Sequence, residues 1–186
     1  VGVALVDKFP TLFEYRLVLA GNQVNLAGIF LDDRRHVEAM TKLDAAAENL
    51  NQVRDAAPTQ AMLKQMAAVE QRKRAQCLQE MAWQLATDPN DAERDGKQAV
   101  AWATEACELS GWTQAVCLDT LAAAYAETGD FDKALKWAEE AIDALPANAD
   151  ERMLQTLTTR RELFESGVPF RRPQRDNGPL LDDEND

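Results

Sequence analysis

The sequence predicts an all-α protein in which helical hairpins are laid side by side. Three observations predict it. Alanine-rich composition, with only 8 Gly and 7 Pro in 186 residues, favours helix over sheet. Apolar residues recur at three- and four-residue spacing through long stretches separated by polar or Gly-containing breaks. Between Leu118 and Ile142, small residues (Ala122, Ala134 and Ala141) stand where two helices must touch, and Leu118, Leu121, Tyr125, Phe131 and Trp137 fill the space between them.

The first helix follows Phe9-Pro10, since proline is tolerated near a helix start. It runs from about Leu12 to Leu31 through Leu12, Tyr15, Leu19, Leu26 and Phe30. Asp32-Asp33-Arg34-Arg35 makes the turn. The second helix, His36 to about Arg54, carries Ala39, Leu43, Ala46, Ala47 and Leu50 on one face. Ala57-Pro58-Thr59 breaks the chain, with Thr59 as a candidate cap.

A long third helix is predicted from Gln60 to Leu85 through Leu63, Met66, Val69, Leu78 and Met81. Its polar middle, Glu70-Gln71-Arg72-Lys73-Arg74, reads as a solvated face. After Asp88-Pro89-Asn90-Asp91, a fourth helix runs from about Arg94 to Leu109, with Ala99, Val100, Ala103 and Ala106 inward. Ser110-Gly111 ends it. Thr113 is the expected N-cap of the third pair and Gly129 its C-cap glycine. After Pro146, Asn148 or Asp150 caps a last helix from Glu151 to Phe164, ended by Gly167. Val168-Pro169-Phe170 is expected to fold back onto that helix.

These elements give one repeat domain over 8–170, with pairs at about 12–54, 60–110 and 112–145 and a capping helix at about 150–166. Residues 171–186, which end in Asp182-Asp183-Glu184-Asn185-Asp186, read as a disordered acidic tail.

The Leu118–Ile142 stretch resembles a tetratricopeptide repeat (TPR), a helix–turn–helix unit of about 34 residues. The first pair is similar through Leu26, Ala27, Phe30, Ala39, Leu43 and Ala46. Arg34 stands there in place of the turn glycine. A left-handed position costs a non-glycine residue roughly 1 kcal/mol, so a distorted turn is expected. The second pair fits through Leu78, Met81, Ala82, Leu85, Ala99 and Ala106, with about five extra residues in its turn.

Met81-Ala-Trp-Gln-Leu-Ala-Thr-Asp-Pro-Asn, Arg94-Asp-Gly-Lys-Gln-Ala-Val100 and Gly167-Val-Pro-Phe-Arg171 resemble blocks of bacterial TPR proteins. Phe9-Pro10, Glu14-Tyr15-Arg16, Leu19-Ala20 and Asn25-Leu26 are similar to repeats in the C-terminal regions of bacterial serine/threonine protein kinases. The resemblance implies a short right-handed solenoid with a C-terminal capping helix. It also implies a non-catalytic interaction scaffold, the C-terminal part of a larger signalling protein. Kinase signatures are missing, so a catalytic domain would lie upstream of Val1.

The net charge of -12 and pI of 4.6 exclude a basic nucleic-acid surface. No apolar run approaches the roughly 20 residues needed to span a bilayer. Cys77, Cys107 and Cys117 are odd in number and without Cys-x-x-Cys spacing, so buried reduced thiols and a cytoplasmic location are expected. His36, the one histidine, reads as a solvated helix-end residue. Neither metal-ligand spacing, nor a phosphate loop, nor a catalytic constellation is visible, so no cofactor or metal is expected.

Binding remains. In the family the first helix of each pair lines a concave groove. Carried over by position, the groove residues are Val24 and Gly28, then Gln79 and Trp83, then Val116, Asp119, Ala123 and Glu127. Trp83 is either an interface anchor or packs on the extra turn before Pro89. Asp119 either faces a partner or pairs locally with Thr120 or Lys133. Chaperone-binding members hold a terminal carboxylate with Lys, Arg and Asn. Gln79 and Asp119 stand in those places here, and Asn25 alone matches. A basic or neutral protein or peptide partner is therefore implied. Self-association through the Glu70–Arg74 region is the alternative.

Overall fold

A computed structural model describes residues 13–56 and 61–173. The described residues form α1 (Phe13–Asp32), α2 (His36–Ala56), α3 (Ala61–Thr87), α4 (Gly96–Leu109), α5 (Ala115–Glu127), α6 (Phe131–Asp143) and α7 (Glu151–Glu165), and no strand. A single 3₁₀ turn, Asp91–Glu93, takes up the extra residues before α4. Helices α1 and α2, α3 and α4, and α5 and α6 pack as successive hairpins. The hairpins stack, with α3 beside both α1 and α5, and α7 closes against α6. The fold is thus all-helical and repeat-like.

Alanine lets the helices come close. Ala82, Ala86, Ala99, Ala103 and Ala106 of the second hairpin are fully buried, as are Ala122, Ala124, Ala134 and Ala141 of the third. A bare methyl at the contact supports the shorter end of the usual 8–10 Å interaxial range. Leu78, Leu118 and Leu121 fill the space that remains. Trp112 stacks on Trp137 with ring centres 5.1 Å apart, which covers the edge of the last hairpin.

The turn at Arg34 corrects the expectation of distortion. Arg34 takes φ 59° where Gly129 takes 83°. At α1, Arg34 N–H donates to Leu31 O (2.9 Å) and Arg35 N–H to Phe30 O (2.7 Å). At α5, Gly129 N–H donates to Ala126 O (3.1 Å) and Asp130 N–H to Tyr125 O (3.0 Å). Both are the same paired closure of a helix C-terminus. The arginine accepts the left-handed backbone and the turn keeps its shape.

The N-terminal caps are mostly where side-chain chemistry puts them. Asp95, Asp130 and Asp150 each accept a backbone N–H of the first turn of the following helix. Thr113 does not cap α5. Gly111 and Trp112 are both left-handed, and the Thr113 hydroxyl bonds back to Ser110 O, so Gln114 starts the helix without a side-chain cap. Thr59 lies outside the described residues.

Two polar expectations change because α3 is long. Gln71 and Arg72 are exposed as expected, but Glu70 is buried. Glu70 accepts from Arg74 at 2.8 Å, and Arg74 also reaches Asp44 of α2 at 2.8 Å. The charged middle of α3 therefore ties α3 to α2. His36 is buried rather than solvated, with Nε2 2.8 Å from Glu80 Oε2, because α3 extends across the start of α2.

Candidate functional site

The site is built where the C-terminal ends of α3 and α5 meet the chain returning from α7. Gly167 (φ 70°) ends α7 with Gly167 N–H on Phe164 O (3.0 Å) and Val168 N–H on Leu163 O (2.9 Å). The chain turns there, and residues 168–172 lie against the C-terminal ends of α3 and α5.

Arg160 of α7 reaches into this face. Its Nε donates to Asp119 Oδ1 (2.9 Å) and its Nη2 to Asp119 Oδ2 (2.6 Å), a two-point match of guanidinium and carboxylate. The same guanidinium lies 5.1 Å from the Trp83 ring centre and 5.4 Å from that of Phe170. Trp83 and Phe170 pack on each other at 5.6 Å. Asp119 is only 4 % exposed. Burial pushes its carboxyl above the ordinary range, and Arg160 opposes that shift.

The returning segment adds its own charges. Arg171 pairs with Glu127 Oε2 at 2.5 Å and donates to Ala86 O at 3.4 Å. Glu127 Oε1 meanwhile accepts from Arg94 at 2.9 Å, so the carboxylate is held from two sides. Arg172 N–H donates to Thr87 O (2.9 Å), and the Arg172 guanidinium pairs with Asp88 (2.6 Å). Beside Arg172 the face opens into a cavity of about 440 Å³, with His36, Gln76, Gln79, Glu80 and Trp83 among its walls.

The structure brings four of the expected groove residues to one face. Trp83, Asp119 and Glu127 meet the C-terminal segment or α7 directly. Gln79 lines the cavity, and its amide donates to Thr120 Oγ1 at 2.8 Å. Val116 is exposed on α5, and Ala123 is buried. Val24 and Gly28 lie apart from this cluster. Val24 is 2 % exposed and packs in the apolar core with Leu17, Ala46, Leu50 and Leu63. Gly28 sits beneath Lys73 of α3, whose Nζ would lie 3.5 Å from a β-carbon there.

Both alternatives for the singled-out residues resolve toward long-range contacts. Trp83 packs on Phe170 and Arg160. Asp119 pairs with Arg160, while Lys133 pairs with Asp130. Arg160, Phe170, Arg171 and Arg172 were not singled out from the sequence as site residues. The disordered tail expected over 171–186 is corrected at its start, because Arg171 and Arg172 are held by Glu127, Thr87 and Asp88, while residues 174–186 lie outside the described residues. The available signal was charge complementarity. A buried Asp119 and a half-buried Glu127 call for cations, and this C-terminal stretch supplies arginines.

All three cysteines are free and buried. Desolvation pushes the Cys77 thiol up to about 11 and that of Cys107 up to about 12. Among the described residues no group of three or more His, Cys, Asp or Glu could hold a metal ion. None of their helices is long and apolar enough to cross a membrane. No family model matches the chain, and neither a curated protein nor a solved structure matches it.

Proposed function

We propose that this chain is a non-catalytic interaction scaffold of the tetratricopeptide-repeat kind, binding a peptide or partner helix on the concave face formed by the first helices of its hairpins. On this reading it is the C-terminal part of a larger bacterial signalling protein such as a serine/threonine kinase. One observation carries the reading. Trp83, Asp119 and Glu127 form an aromatic and acidic surface that already holds an aromatic ring and guanidinium groups from elsewhere in the chain. Stacked hairpins support it, because repeats that cannot bury their faces alone make an extended surface when they stack.

The test is a random-peptide selection on the purified full chain, followed by hydrogen-exchange footprinting of the bound peptides. Protection on α3 and α5 around Trp83, Asp119 and Glu127 is expected. Protection confined to the outer helices α2, α4 and α6, or no selected peptide at all, contradicts the reading.

Self-association is the second reading, favoured by the exposed apolar residues Val18, Leu26 and Ile29 on α1. Sedimentation equilibrium tests it. A dimer that Val18→Lys with Ile29→Lys dissociates supports it, and a wild-type monomer at all concentrations rejects it.

A further inference from the structure

We propose that residues Val168–Arg172 are an internal stand-in for the partner. The ligand accepted by this face is then an extended segment with an aromatic residue followed by arginine, and it binds by displacing the chain's own copy. This rests on the scaffold reading above and adds which chemistry binds and what must leave first.

The segment sits on the body as a bound peptide would. Phe170 lies on Trp83, Arg171 on Glu127, and Arg172 on Thr87 O and Asp88. Its hold is mixed: half-buried Phe170 packs beside Trp83 at the edge of the apolar core, and residues on either side of it reach solvent. Val168 is 47 % exposed, and the Arg171 and Arg172 side chains are 32 % and 29 % exposed. A short segment held by one ring and two ion pairs opens at lower free energy than a whole packed helix.

The cradle does not depend on the segment. Glu127 stays held by Arg94, and Arg94 also donates to Asp88 O. Trp83 stays covered on one side by Arg160, which Asp119 fixes at two points. Departure of 168–172 would free Glu127 Oε2, the carbonyls of Ala86 and Thr87, and the Asp88 carboxylate in a ready arrangement. Preorganised acceptors of this kind lower the ordering cost of binding. The polar cavity next to Arg172 gives a longer ligand room to continue along α3.

A ligand on a short tether is present locally at the order of millimolar concentration. An outside competitor therefore binds only the fraction of molecules in which the cradle is open. Its apparent Kd rises by the inverse of that fraction.

The test uses a fluorescent peptide with the sequence of residues 167–173, Gly-Val-Pro-Phe-Arg-Arg-Pro, titrated into the full chain by anisotropy. The full-chain variant Phe170→Ala with Arg171→Ala is expected to bind it at least about tenfold more tightly than wild type. Glu127→Gln added to that variant is expected to weaken binding. If circular dichroism shows the double variant unfolded, Arg171→Ala alone carries the comparison, with a gain of at least about threefold.

Equal affinities, or binding no stronger than that of a scrambled peptide, overturn the proposal. So does a wild-type dimer that the peptide dissociates, since the segment would then be exchanged between copies. If library peptides still footprint α3 and α5 while this test fails, only the stand-in is lost and the scaffold reading stands. Failure of both removes the scaffold reading itself.

Discussion

Helices α1 and α5 open the first and third hairpins, yet the positions on them expected to face a partner are closed in different ways. Val24 of α1 is sealed in an apolar cluster, and Gly28 lies under the end of the Lys73 side chain. Asp119 and Glu127 of α5 are closed by guanidinium groups from Arg160 and Arg171. Opening the closure at Val24 would expose core to water and cost folding energy. Opening the outer part of the closure on α5 exchanges the ion pair of a one-third-exposed Arg171 for hydrated charges, which costs less than exposing core. Position in the repeat therefore selects candidate surfaces, and the chemistry of what covers them decides which can open.

The largest effect should separate Asp119 from Glu127. Asp119→Ala strands the Arg160 guanidinium in a nearly dry site and is expected to cost about 3–5 kcal/mol in urea unfolding. Arg160→Met added to Asp119→Ala should recover most of that loss. A loss under about 1 kcal/mol would place Asp119 among screened surface charges and break the distinction between the inner and outer ion pairs.

Next comes the apolar closure. Val24→Ala is expected to cost about 1–3 kcal/mol of stability and leave peptide affinity on the α3–α5 face unchanged. Loss of binding by a folded Val24→Ala protein would show that the two regions are one surface.

Both halves of the core should exclude water alike, and the thiols report on it. Cys77 lies near the first hairpin, and Cys107 and Cys117 lie under the last. Burial raises these thiols from about 9, to about 11 for Cys77 and about 12 for Cys107. Above about pH 9 the unfolded chain releases thiol protons that the native chain keeps. The stability contribution is therefore complete below that pH and falls as pH rises through the folded values. Urea midpoints measured up to about pH 11 should decline, and replacing Cys107 with Ala should flatten the decline.

The smallest expected effect is a gain. Arg34 holds φ 59° in a turn closed as the glycine turns are. Arg34→Gly should stabilise the chain by about 0.5–1 kcal/mol, less whatever glycine adds to the entropy of the unfolded chain. A loss would mean that the arginine side chain contributes more than its backbone strain costs.

The hairpins were legible in the sequence because their signals are local. The Ala122, Ala134 and Ala141 contacts, the Gly129 closure and the Asp150 cap each depend on spacing within a few residues. Half of the candidate site was legible through the resemblance to tetratricopeptide repeats, whose groove positions carried over to Trp83, Asp119 and Glu127. Their partners were not legible. Arg160 lies 41 residues from Asp119, and Arg172 lies 84 residues from Asp88. Spacing rules hold no information at that range. The C-terminal arginines also adjoin Pro, Asn, Gly and acidic residues, a composition that argues for disorder until the fold supplies Glu127 and Asp88 as partners. His36 misled in a similar way, because only the length of α3 brings Glu80 over it.

The most direct test of the central claim is hydrogen exchange across the full chain with and without a peptide selected on the α3–α5 face. The account predicts opposite changes in one experiment. The Arg172 amide, bonded to Thr87 O in the free chain, should exchange faster when the peptide binds, while amides near Trp83 and in α5 exchange more slowly. Slower exchange at Arg172 together with α3 and α5, or no change in residues 168–172, would contradict it.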